Sequence, residues 1–123
     1  MQTKEEALQK LARSAFRSRF RLDESDRAYI SDKGWETIRS HAADFVRTKL
    51  APAVPENDGK QTPMRGHPAF KAMHACACCC RDCLNKWYHV PKGVTLSEEQ
   101  QSRITELLMY WMKERYNDPV QGK

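Results

Sequence analysis

The chain has 123 residues, and its 21 Lys and Arg against 16 Asp and Glu give a formal net charge of +5 at pH 7. This length suits one domain, so we expect a single helical domain over residues 1–123. Mean hydropathy is −0.80, and no apolar run approaches the roughly 18 residues of a membrane helix, so we expect no membrane partner. The first ten residues lack the apolar core of a signal peptide, which favours a cytoplasmic location.

A helix with a basic edge is predicted at the N-terminus. Between positions 8 and 21, apolar residues recur every three or four positions, and the same stretch holds five basic residues and no acid. On one continuous helix, Arg13, Arg17 and Arg21 would form a stripe beside the apolar face. Such a stripe is typical of a solvated cationic surface, or of an edge that contacts the phosphates of a nucleic acid.

Two further helices are predicted before position 51. Asp23 or Ser25 can cap the second helix, which ends at Lys33 because Gly34 follows. The third helix has an apolar stripe formed by Trp35, Ile38, Ala42, Phe45, Val46 and Leu50.

A long polar segment over about residues 51–68 interrupts this helical pattern. It contains four prolines and two glycines and no periodic apolar residues. Gly59 and Lys60 suggest a phosphate-binding loop, but Val54 stands where that motif needs glycine, which excludes it. Long connections inside a domain are uncommon and often functional, so we expect this loop to be ordered by its own polar contacts.

The C-terminal half is predicted to form two more helices. Pro68 is a favoured first helical residue, and Pro91 and Gly93 end the helix, which predicts one helix over about 68–88. A capping-box pattern at Ser97 opens the last helix. No segment alternates as a strand does. The sequence therefore predicts an all-α fold, a small bundle of four to five helices with one long ordered polar loop.

All five cysteines lie between positions 76 and 83. Adjacent cysteines cannot easily join distant segments, so we expect reduced thiols. On a continuous helix four of them share the apolar face, which favours packing in the core. Cys78 and His74 fall together on the opposite, exposed side, where a histidine could activate the thiol as a nucleophile.

The cysteine spacing also fits a metal site. Two pairs have the Cys-x-x-Cys spacing at which thiolates chelate, and zinc is the natural metal for mixed sulfur and nitrogen ligands. One helix can supply two or three ligands, so the remaining ligand would come from a flanking histidine such as His67 or His89. The candidate ligands are His67, His74, Cys79, Cys80 and Cys83.

Several motifs resemble those of a family of small bacterial domains of unknown function. They are NDGKQTPMRGHP at 57–68, His74, CCR at 79–81 with Cys83 and Leu84, ARS at 12–14, FRSRF at 16–20 and HAADFV at 41–46. The resemblance covers about residues 8–115, but it implies no activity. Cys76 and Cys78 stand where that family has a hydroxyl residue, so the resemblance favours the other three cysteines with His67 and His74 as the functional set.

Two functional hypotheses follow from these features. The first is a non-enzymatic binding module in which a Cys/His cluster, with or without zinc, fixes the loop against the fourth helix. Loop and arginine side chains would then contact nucleic acid or another anionic partner; they are Asp58, Lys60, Gln61, Thr62, Arg65, Arg13, Arg17 and Arg21. A protein partner is also compatible with this hypothesis.

The alternative hypothesis is a small metal- or histidine-dependent hydrolase. Its pocket would lie between loop 57–67 and helix 68–88, with His67 or His74 as general base. Arg65 or Lys60 would bind an anionic substrate, and a metal with an open coordination position would activate water.

Overall fold

A computed structural model describes residues 4–11 and 13–117 of the chain. Helices account for the regular structure of these residues, and no strand occurs among them, which confirms the predicted all-α class. The elements are α1 (Lys4–Leu11), α2 (Ala15–Ser18), α3 (Glu24–Lys33), α4 (Trp35–Phe45), a π-helical turn (Val46–Leu50), α5 (Pro68–Ala75), α6 (Arg81–Tyr88) and α7 (Glu98–Tyr116).

The single N-terminal helix predicted for this region is wrong. Helix α1 ends at Leu11, and Ser14 caps the separate helix α2 by accepting a hydrogen bond from the backbone N–H of Arg17. A serine hydroxyl competes with helix hydrogen bonding in this way and so starts a new helix. No continuous arginine stripe therefore forms. Position 12 and the side chain of Leu8, both in the predicted helix, lie outside the described residues.

Helices α3 and α4 form where they were predicted. Asp23 caps α3 through a reciprocal capping box with Asp26, and Gly34 has a φ of +85° between the two helices. Helix α4 passes into the π-helical turn, in which the backbone N–H of Ala51 bonds the carbonyl of Val46 at 2.9 Å. These caps and the glycine supply the boundaries that the sequence indicates.

The core is built where α4, α5 and α7 pack together. Its fully buried side chains come from all three helices and from the π-helical turn; they include Ile38, Ala42, Val46, Ala72, Met73, Leu108 and Met112. The small residues of α5 allow close approach to its neighbours, so this helix packs directly against α7. Ser97 caps α7 as predicted, and its hydroxyl accepts from the backbone N–H of Gln100 at 3.0 Å. Within the described residues, every helix is too short or too polar to span a bilayer.

The helix predicted over 68–88 is instead two helices, because the chain turns sharply between Ala75 and Arg81. Ala77 takes the left-handed conformation, with a φ of +59°. The backbone N–H of Cys78 bonds the carbonyl of Met73 at 2.8 Å, and that of Ala77 bonds His74 at 3.3 Å. These two bonds form the Schellman end of a helix, a motif that usually carries glycine at the left-handed position. With alanine there, the sequence gives no stop signal.

The polar loop is ordered by hydrogen bonds to the start of α6. Asp58 accepts from the backbone N–H of Arg81 at 3.2 Å and from the Gln61 side chain at 3.1 Å. The Thr62 hydroxyl donates to the carbonyl of Cys79 at 2.8 Å. These contacts agree with the expectation that the loop is held by its own polar groups.

Arg81 connects α6 to two other parts of the chain. Its side chain is 1% exposed, and its guanidinium donates to five backbone carbonyls. Nη1 reaches residues 50–52, and Nη2 reaches Pro91 and Val94, with the shortest distances at 2.7 and 2.8 Å. A planar fork of donors can bond several carbonyls at once, which a lysine cannot do.

We predict that Arg81→Met lowers the free energy of unfolding by about 3 kcal/mol or more, because the carbonyls around the guanidinium lose their donors in a buried site. Urea unfolding followed by circular dichroism measures the loss. Arg47→Met is the control: Arg47 pairs with Asp44 on the exposed surface, and its loss should change stability by no more than about 0.5 kcal/mol. Equal stability of the two variants would contradict the role given to Arg81.

Candidate metal centre

Three of the five cysteines meet at the start of α6. The sulfur atoms of Cys79, Cys80 and Cys83 all lie within 4.8 Å of one another. The Cys83 sulfur is 3.4 Å from that of Cys80 and 3.6 Å from that of Cys79. Cys80 has extended backbone at the N-cap of α6, and Cys83 lies one turn further on, so the two side chains point to the same place. Cys79 and Cys80 are buried, and Cys83 is partly exposed.

Arg17 of helix α2 lies directly against this sulfur cluster. Its Nη2 donates to the Cys83 sulfur at 3.0 Å, and its Nη1 lies 3.5 Å from the Cys79 sulfur. Nη1 also donates to the carbonyl of His74 at 2.6 Å, which fixes the guanidinium. The helical periodicity predicts Arg17 on a surface stripe, and no local signal pairs a residue of α2 with cysteines more than 60 positions away.

Hydrogen bonds and burial separate the proton affinities of the three thiols. The hydrogen bond from Cys83, helped by Arg17, lowers the pKa of the Cys79 thiol to about 7, against the effect of burial. The same bond to Cys79, together with burial, raises the pKa of Cys83, and burial raises the pKa of Cys80. Of the three thiols, Cys79 therefore loses its proton first, next to the positive guanidinium of Arg17.

Cys76 and Cys78 lie outside the sulfur cluster. Both are buried, and burial raises the pKa of each thiol. The Cys78 sulfur contacts the carbonyl of Cys76 at 3.4 Å, and the Tyr88 hydroxyl donates to the same carbonyl. The exposed Cys78–His74 face predicted as a nucleophile is wrong, because the turn after Ala75 places Cys78 inside the protein. Cys76 and Cys78 are therefore packed in the core, as free cysteines often are.

His74 holds the polar loop rather than joining the cluster. Its Nε2 lies 3.0 Å from the carbonyl of Thr62 and 3.1 Å from that of Pro63, so this nitrogen carries the proton that both oxygens accept. The ring stacks on Phe20 with centroids 5.6 Å apart. Among the described residues, the group of close metal-ligand atoms contains neither His74 nor His67 nor the exposed His89.

His67 caps α5 and is buried beside a second histidine. Its Nδ1 accepts from the backbone N–H of Ala69 at 2.9 Å, and its Nε2 lies 3.1 Å from Nδ1 of His41. Because Nδ1 accepts, the neutral ring carries its proton on Nε2 and donates it to His41. Burial, and secondarily the charge of His41, lowers the pKa of His67 to about 4.

A cavity of about 370 Å³ opens beside His67, between α3 and the end of the polar loop. Its walls come from Asp23, Ser25, Asp26, Tyr29, Arg65, Gly66, His67, Pro68 and Lys71. Lys71 bonds Asp26 at 2.5 Å and Asp23 at 3.2 Å, so the charges of this wall are largely paired with one another. The pocket predicted for an anionic substrate therefore has mixed charge.

The residues predicted to form a recognition surface divide into two groups. Gln61 and Thr62 are buried and use their side chains to hold the loop, so the expected surface does not include them. Asp58 is exposed, and its carboxylate also holds the loop. The structure leaves the remaining basic side chains exposed, apart from Arg17 at the cluster; they are Arg13, Arg21, Lys60 and Arg65.

The chain belongs to a known protein family. A family model described as Domain of unknown function (DUF4186) matches residues 5–113. This finding agrees with the resemblance to a small domain of unknown function, and it assigns no activity. No solved structure matches the chain.

We predict that lowering the pH from 6.5 to about 4 destabilises the protein through His67. In this window the unfolded histidine takes up a proton that the folded one does not, so the free energy of unfolding falls with falling pH, by up to about 3 kcal/mol. Urea unfolding at a series of pH values measures this slope. His67→Asn keeps a capping side chain without a titrating ring, and its slope should be flatter than that of the wild type. Parallel slopes would contradict the prediction.

Proposed function

We propose that this member of the family is a metal-binding helical domain, in which Cys79, Cys80 and Cys83 hold one zinc ion. The sulfur distances support this proposal. Zinc bonds thiolate sulfur at about 2.3 Å in a tetrahedron, which places ligand sulfurs about 3.8 Å apart. The two distances from Cys83, 3.4 and 3.6 Å, differ from that value by a few tenths of an ångström. Small side-chain movements would therefore complete the site.

The charge of Arg17 suits a zinc ion bound by three thiolates. Zn²⁺ with three thiolates has a net charge of −1, which is costly in a largely buried site unless a positive group lies nearby. Arg17 supplies that charge and also donates hydrogen bonds to two of the sulfurs. Such bonds from an outer residue orient metal ligands and tune their donor strength.

Three sulfur ligands leave one tetrahedral position, which water or a ligand from a partner would fill. The ion itself would join the turn before α6 to the first turn of that helix. Cys79 also accepts a hydrogen bond from Thr62, so the same ion would strengthen the attachment of the polar loop. We infer a structural role in a non-enzymatic binding module.

The metal content of the purified chain tests this proposal. We expect about one zinc per chain by mass spectrometry when the protein is prepared without a metal-affinity tag, and zinc should be lost in Cys83→Ser. Cys78→Ala is the matched control, because Cys78 is buried nearby but outside the cluster. Circular dichroism checks that both variants fold. Absence of metal from the wild type, even after zinc is added, would refute the proposal, as would full zinc content in Cys83→Ser.

The alternative of a histidine-dependent hydrolase receives less support. A general base needs a ring nitrogen that is free to take a proton from substrate or water. Both ring nitrogens of His67 are hydrogen-bonded inside the fold, and Nε2 of His74 faces two carbonyls. A zinc ion with an open position is the remaining route to hydrolysis, and it rests on the same cysteines.

Nucleic acid is the partner class that the net charge favours. Lys60 and Arg65 belong to the loop that the metal would anchor, and both side chains are exposed. We expect fluorescence polarisation to show DNA or RNA binding that weakens steeply between low and moderate salt, and that weakens further in a Lys60→Ala, Arg65→Ala double variant. Lack of binding at low salt would remove nucleic acid from the proposal without affecting the metal site.

A further inference from the structure

We propose that the metal-free sulfur cluster is a peroxide-reactive dithiol, in which hydrogen peroxide or a small hydroperoxide converts Cys83 and a neighbouring cysteine into a disulfide. The inference goes beyond the metal site, because it depends on the three sulfurs and Arg17 and needs no bound ion. Its central observation is that Cys83 lies within reach of two other sulfurs at once.

Cys83 is the shared member of both possible disulfides. Its sulfur lies 3.4 Å from Cys80 and 3.6 Å from Cys79, and a disulfide needs a separation of about 2.05 Å. The extended backbone of Cys80, one turn before Cys83, leaves its side chain free of the helix. Closing either pair therefore requires side-chain rotation and little movement of the core.

Burial selects a small oxidant. Cys79 and Cys80 are 8% and 7% exposed, and Cys83 is the member of the cluster that solvent reaches more readily. A folded protein disulfide is too bulky to approach sulfurs in such a site, whereas a peroxide is little larger than water. Arg17 lies beside the sulfurs of Cys83 and Cys79, where its guanidinium can bond the attacking thiolate and the negative charge that develops on the departing oxygen.

The reaction takes place in two balanced steps. In the first, one sulfur of a pair that contains Cys83 attacks one oxygen of hydrogen peroxide; the S–O bond forms, the O–O bond breaks, and hydroxide leaves and takes the thiol proton as water. In the second, the other sulfur of the pair attacks the resulting sulfenic acid; the S–S bond forms, the S–O bond breaks, and a second water leaves. Two thiols are oxidised by two electrons, and one peroxide is reduced to two waters.

Disulfide formation would exclude zinc from the cluster. An oxidised pair that contains Cys83 leaves a single thiol of the three, which is too few ligands to hold the ion. The same residues would then bind metal when reduced and release it when oxidised.

The test uses the full chain, freed of metal with a chelator and treated with one equivalent of hydrogen peroxide. We expect one disulfide per chain that contains Cys83, identified by peptide mass mapping, and consumption of about one peroxide. Cys83→Ser should consume peroxide at least about tenfold more slowly, and Arg17→Gln should be slowed while Arg17→Lys recovers part of the rate. Cys78→Ala should react as the wild type does.

Several results would overturn the inference: no disulfide, a disulfide without Cys83, or an unchanged rate in Cys83→Ser. Mapping of the wild-type disulfide decides the question even if that variant does not fold. The metal site and the dithiol can also be refuted independently of each other. A Cys83 disulfide in a chain that never binds zinc would refute only the metal site, and zinc binding without a Cys83 disulfide would refute only the dithiol.

Discussion

The buried guanidinium of Arg81 is the constraint on which the rest of the site depends. It donates to five backbone carbonyls, three in residues 50–52 and two in residues 91–94, and Asp58 bonds the backbone N–H of the same residue. Together these bonds fix the first turn of α6 and the polar loop in one arrangement. Because Cys80 caps that turn and Cys83 lies in it, the same bonds also fix where the two sulfurs lie. The cysteine cluster is therefore a consequence of a backbone arrangement that an arginine holds in place.

Charge balance connects the N-terminal helices to this cluster. Arg17 points inward and contacts two sulfurs. Its positive charge would offset the negative charge of one thiolate, or that of a zinc ion bound by three thiolates. Phe20, near the end of the same segment, stacks on His74, which anchors the loop. Residues 14–20 thus place a positive charge beside the cluster and a ring against His74. The proposed metal binding and the proposed thiol oxidation use the same three sulfurs, beside the positive charge of Arg17.

The parts of the fold that could be predicted are those with local signals. Asp23 and Ser97 begin helices through capping boxes, and Pro68 begins α5 after His67, so these boundaries follow from the sequence. The break at Ala77 could not be predicted, because an alanine takes the left-handed conformation at a position where glycine would have been the signal. For the same reason the sequence placed Cys78 on an exposed face. The three clustered cysteines were among the candidate ligands, but the contact with Arg17 arises only from long-range packing.

X-ray absorption at the zinc edge is the most direct test of the metal centre. It counts the sulfur atoms around the ion and measures their distances. The proposed site predicts three sulfurs at about 2.3 Å and one lighter ligand, and fewer sulfurs in Cys83→Ser. A zinc ion surrounded only by nitrogen and oxygen, or one whose sulfur count is unchanged in Cys83→Ser, would contradict the assignment of Cys79, Cys80 and Cys83 as its ligands.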